Sequence, residues 1–75
     1  MYLLYIFLVE NVCESIAYIR EGNSEKLYAR DIATLVIEEN KIVLIDIAGN
    51  TYTLTDAVLE YVDFVGHRII LRKTD

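Results

Sequence analysis

Proline is absent from this 75-residue chain, and cysteine and histidine each occur once. Without proline, every stretch keeps its full set of backbone N–H donors, so nothing along the chain forbids a central strand. A single thiol cannot close an internal disulfide. That excludes the stapled frameworks of small secreted domains and makes a reducing cytoplasm the expected compartment. The lone His67 leaves just one Cys–His pairing, with no motif around it, so nucleophilic catalysis is not expected and the chain reads as a non-enzyme. Basic residues are also scarce: 7 Lys and Arg stand against 12 Asp and Glu, for a net charge of −5. Such a balance lacks the positive footprint that phosphate backbones attract, which disfavours nucleic acid as a partner. No apolar run reaches the roughly 20 residues a membrane-spanning helix needs. The longest, Met1–Val9, is followed by Glu10-Asn11 and has neither a basic leader nor a small-residue cleavage site, so it is not read as a signal peptide.

What the chain does have is apolar surface: 55% of its residues are hydrophobic. One domain of this size has a thin core, and the excess is easiest to place if some of it meets a second copy of the chain. From Val12 onward, short β-prone runs alternate with turn residues. Ser15 to Arg20 and Glu25 to Arg30 flank Gly22-Asn23 as a hairpin. Asp31 marks a break before Thr34 to Glu38. The strongest strand is Lys41 to Ile47, and Ala48-Gly49-Asn50 turns it into Thr51 to Leu54, where Tyr52 and Leu54 should face inward. Thr55 to Val65 fits either a capped helix or a strand; its Val, Tyr and Phe content favours a strand that turns at Val65-Gly66-His67 into His67 to Arg72. The expectation is an all-β fold, a small closed or nearly closed antiparallel barrel of six to seven strands, forming a single domain over 12–75. Met1 to Asn11 is an apolar extension outside it, with three readings open: a buried or swapped strand, an interfacial anchor, or, the favoured one, a stretch ahead of the true translation start.

Chemistry is sought at Cys13, in the stretch Val12-Cys13-Glu14-Ser15 at the mouth of the first strand. By residue type alone it is either a small core side chain or a soft metal ligand. One thiol cannot hold a metal, so a second copy is the natural source of more donors. Glu14 and His67 are secondary ligand candidates. Glu14 would point to the opposite side from its neighbour, as adjacent strand residues do, and is read as a solvated or supporting carboxylate. His67, in a turn, is read as a surface or capping residue. Tyr18, Tyr28, Tyr52 and Tyr61 are assigned to core and interface rather than to base stacking. The carboxylate groups Glu38, Glu39 and Asp46, and Asp56, Glu60 and Asp63, match no cation-binding loop and are read as solubilising surface.

Three stretches together resemble the CooT family, small proteins associated with nickel delivery to carbon monoxide dehydrogenase and sometimes labelled as predicted RNA-binding proteins. They are Val12-Cys13-Glu14-Ser15 with Ala17-Tyr18-Ile19 behind it, Lys41-Ile42-Val43-Leu44-Ile45-Asp46-Ile47-Ala48-Gly49, and Val65-Gly66-His67-Arg68-Ile69-Ile70-Leu71. The resemblance implies a homodimeric β-barrel in which the near-terminal cysteine of each copy, here Cys13, binds Ni(II) at the interface. Family members carry that cysteine directly after the initiator methionine. Here Val12 precedes it, and because a GTG codon is read as methionine when it initiates, residues 1–11 are expected to lie ahead of the true translation start. Two other readings stay open: a small RNA-binding module, and a structural dimer linked through the Cys13 thiols.

Overall fold

In the computed structural model of the chain, residues 14–74 are described, and they hold six β-strands and no helix. The strands are β1 (Ser15–Glu21), β2 (Ser24–Ile37), β3 (Ile42–Asp46), β4 (Thr51–Leu54), β5 (Ala57–Asp63) and β6 (Arg68–Lys73). They form one sheet in the order β4-β3-β2-β1-β6-β5, curled into a half-barrel whose two ends approach one another where β3 meets β5. The all-β expectation holds, as does the strand reading of the ambiguous stretch, which is β5. Four of the five pairings are antiparallel, and the exception is central: β1 runs parallel to β6, with Ala17 opposite Ile69 and Ile19 opposite Leu71.

The hairpin of β1 and β2 turns through Gly22-Asn23, with Glu21 opposite Ser24. Gly22 takes φ 63° there, the positive value that a two-residue turn with glycine first requires if the strands are to keep their twist. The break expected at Asp31 is a bend inside one 14-residue strand. Asp31 adopts φ 56° and the pairing with β3 slips between Ile32 and Thr34. This is a β-bulge, which redirects a strand without ending it. The bend lets one strand pair with β1 through its first half and with β3 through its second, and Asp31 O accepts a hydrogen bond from Ile47 N at 2.9 Å.

The concave face holds the core: Ala17, Ala29, Ile32, Ile42, Leu44, Leu54, Ile69 and Leu71 are buried together, with Leu35, Tyr52, Leu59 and Val62 packed against them. Small Ala17 and Ala29 sit opposite one another, where larger side chains would overfill a tightly curled sheet. The alternation expected in β4 is present, with Leu54 buried, Tyr52 half-buried and both threonines exposed. On the convex face a row crosses four strands, Leu27 opposite Tyr18, Tyr18 opposite Ile70 and Ile70 opposite Tyr61. Ile70 is fully buried within it. Arg68 lies over the Tyr18 ring at 5.2 Å and continues to Glu25 at 2.9 Å, while Arg20 reaches Glu60 at 2.7 Å. The tyrosines are therefore less buried than their residue type suggests. Tyr28 and Tyr61 are exposed, and Tyr28 makes an edge-on contact with Tyr52 at 6.0 Å.

Candidate functional site

One end of the half-barrel gathers the start of β1, the bend of β2, the end of β3 and the β5–β6 turn, because Ser15 pairs with Ile32, Ile32 with Asp46, and Asp63 with Arg68. The β5–β6 turn is built by a carboxylate. Asp63 Oδ1 accepts from Gly66 N at 2.9 Å, closing a loop that carries Phe64 and Val65 outward. A Cβ on Gly66 would stand 2.6 Å from Asp63 Oδ2, so a side chain there displaces the capping carboxylate. His67 leaves the turn with φ 58°, a left-handed conformation that costs a non-glycine residue roughly 1–2 kcal/mol. Its carbonyl then accepts from Ile16 N at 2.9 Å. That bond ties the turn to the start of β1, two residues after Glu14.

A hollow of about 610 Å³ opens between this turn and the bend of β2, lined by Ser15, Ile32, Leu35, Val62, Phe64 and Ile69, among others, with His67 at its edge. Its lining is mainly apolar and includes no Asp, Glu, Lys or Arg.

The candidate ligands fall as follows. Cys13, with Met1 to Val12, lies outside the described residues. Glu14 is exposed just ahead of β1, as a solvated carboxylate would be. His67 is exposed at the rim of the hollow, and it contributes its backbone carbonyl to the fold rather than its ring. Ser15 and His67 are thus brought to one place although 52 positions separate them in sequence (67 − 15). Among the described residues, no three His, Cys, Asp or Glu side chains come together to hold a metal. No helix among the described residues is long and apolar enough to cross a membrane.

The sequence reading undervalued Asp46. Its carboxylate accepts from Ala48 N at 3.0 Å, Asn50 N at 2.8 Å, Asn50 Nδ2 at 3.1 Å and the Tyr52 hydroxyl at 3.0 Å, and so organises the whole β3–β4 loop. Partial desolvation works to raise its pKa, but the bonds from Asn50, Tyr52 and Ala48 outweigh it and hold the carboxyl below its ordinary value of 3.8. Tyr52 is pushed above 10.0, first by donating to Asp46, then by desolvation and by the nearby negative charge. The signal available in the sequence was the Asp-x-Ala-Gly-Asn order, an aspartate followed by a glycine-containing turn.

A family model described as "CO dehydrogenase accessory protein CooT" matches residues 12–72. The fold is similar to the crystal structure of a protein assigned as CooT in Carboxydothermus hydrogenoformans, at a TM-score of 0.75 and 30% identity, covering 84% of this chain and 100% of that one. No curated protein sequence matches.

Proposed function

Because the chain belongs to the CooT family, we propose that it is a nickel-binding accessory protein of carbon monoxide dehydrogenase maturation, and not an enzyme. Two copies each supply the Cys13 thiolate, and the ion they share is cargo for the nickel enzyme. The observation that carries this reading is the family match, which begins at the residue before Cys13 and runs into β6 as far as Arg72. The donor chemistry agrees with it. A thiolate is a soft ligand suited to nickel, and a pair of thiolates is the smallest set that one cysteine per chain can provide. A metal site drawing on Cys13 needs no acidic cage, in keeping with Asp46 and Asp63 being occupied in turns and Glu25 and Glu60 in ion pairs.

Replacing the thiol tests the reading. Cys13→Ala is expected to lose stoichiometric Ni(II) binding together with the thiolate-to-nickel charge-transfer absorption; wild-type levels of both in the variant would overturn it. In the wild type, affinity should fall as pH drops, because protons compete with the metal for the thiolate.

A further inference from the structure

We propose that the outer edge of β5, where it borders the β2–β3 turn, is a docking site for an extended, basic segment of a partner protein, which adds to the sheet as a further strand. The site lies at the opposite end of β5 from the turn that carries His67, and it does not depend on Cys13.

The backbone supplies one half of the site. β5 ends the sheet, and its one strand partner among the described residues is β6. Asp56 O accepts from Thr74 N at 2.9 Å, and in an antiparallel pair the bonded positions alternate. Asp56 and Val58 therefore bond toward Thr74 and Arg72, while Ala57 and Leu59 turn their N–H and C=O groups to the open edge. Natural sheets blunt such edges with lysine, proline or a bulge. β5 contains neither residue, and its bulge falls beyond this stretch, between Leu59 and Tyr61.

Side chains supply the other half. A cleft of about 400 Å³ runs beside the edge, between Ala57, Val58 and Leu59 on one side and residues 37–42 on the other. Ile37 is 59% and Val58 38% exposed, so each wall carries an apolar side chain for a segment to cover. The turn that follows Ile37 is closed by Glu38 N donating to Lys41 O at 2.8 Å, and it holds Glu38 and Glu39 in solvent. Lys41 reaches Glu38 at 3.5 Å, an exposed pair that contributes little. The turn thus keeps a negative balance, on a chain that is itself −5. Successive residues of a strand face opposite ways, so a segment alternating cationic and apolar side chains meets both features at once. In strand addition of this kind main-chain bonds give affinity and the side-chain contacts give selectivity. Charge decides against other occupants. A second copy meeting β5 edge to edge would set Asp56, Glu60 and Asp63 against themselves, and a nucleic-acid backbone is repelled by the same acids.

The test is a titration of the full chain, followed through its backbone amide resonances, with three capped heptapeptides: alternating lysine and valine, alternating glutamate and valine, and the lysine–valine sequence methylated at every backbone nitrogen. The lysine peptide is expected to bind, to shift the amides of Ala57 to Leu59 and Ile37 to Lys41, and to weaken as salt is raised. The glutamate and N-methylated peptides should bind at least about tenfold more weakly. The double variant Glu38→Lys, Glu39→Lys, confined to an exposed turn, should lose about fivefold in affinity for the lysine peptide while keeping a dispersed, folded amide spectrum. Failure of the lysine peptide to bind at millimolar concentration would overturn the site, as would shifts confined to β4 or to the convex face. Equal binding of the N-methylated peptide would replace strand addition by charge attraction alone, and equal binding of the glutamate peptide would remove the basic partner. If the lysine peptide binds this edge only after residues 1–11 are deleted, the edge belongs to the chain's own apolar run and the proposal falls. Each of these results leaves the Cys13 reading where it stands.

Discussion

Two loops close the same end of the sheet and do so with opposite chemistry. The β3–β4 loop turns its polar groups inward. Asp46 takes up four donors, Gly49 supplies the positive φ of 91°, and Ile47 is the loop's one large apolar side chain in solvent. The β5–β6 turn uses the same devices more sparingly, with Asp63 accepting one bond from Gly66 N and the positive φ on His67. It spends its exposed positions on Phe64 and Val65. A loop whose polar groups are saturated within itself has little to offer a partner. An apolar turn beside an apolar hollow remains incomplete until something covers it. The difference teaches which loop leaves apolar surface open: the β5–β6 turn, beside Ser15 at the start of β1.

Substitutions at this end can break or sharpen the contrast. The largest effect is expected at Ile32, which is 2% exposed and joins the two regions by pairing with both Ser15 and Asp46. Ile32→Ala should cost about 2–5 kcal/mol in denaturant unfolding and loosen both loops together; a loss confined to one would refute their common anchoring. Asp46→Ala comes next. Because the folded pKa of Asp46 is depressed, its contribution to stability is fully present above its unfolded value and disappears as pH falls through the folded one. Wild-type stability should therefore decline below about pH 4, and Asp46→Ala should be less stable at pH 7 with a flatter acid limb. An unchanged acid limb would dissociate the network from stability. Gly66→Ala displaces the Asp63 cap and should cost about 1 kcal/mol, the worth of one hydrogen bond. The smallest effect is expected at His67. His67→Gly relieves a left-handed residue but frees the unfolded chain, and the two should nearly cancel, to within about 0.5 kcal/mol.

Much of this fold was legible in the sequence because local rules and tertiary context agree in it. The Lys41 to Ile47 run, the alternation in Thr51 to Leu54 and the glycine of the first hairpin each fix a strand or a turn from neighbours alone. Two features were not legible. The bend at Asp31 looks like a strand end, because an aspartate in the left-handed region carries no mark in the sequence to separate a bulge from a break. The parallel pairing of β1 with β6 joins Ala17 to Ile69, a long-range choice on which local pattern is silent. At the candidate site, Cys13 and its neighbours stood out by residue type and by resemblance to a family, and the family assignment holds. The rim did not stand out. Phe64 read as one more β-forming residue ahead of a turn at Val65-Gly66-His67, whereas the Asp63-x-x-Gly66 spacing, a carboxylate capping a turn, places Phe64 in the turn as well and leaves both Phe64 and Val65 in solvent.

The central claim is that one nickel ion is shared by two copies of this chain through Cys13, and native mass spectrometry of the full chain titrated with Ni(II) tests it most directly. The account predicts a dominant species of two chains holding one nickel, which disappears in Cys13→Ala. Nickel carried by single chains, or carried equally by the Cys13→Ala protein, would contradict it.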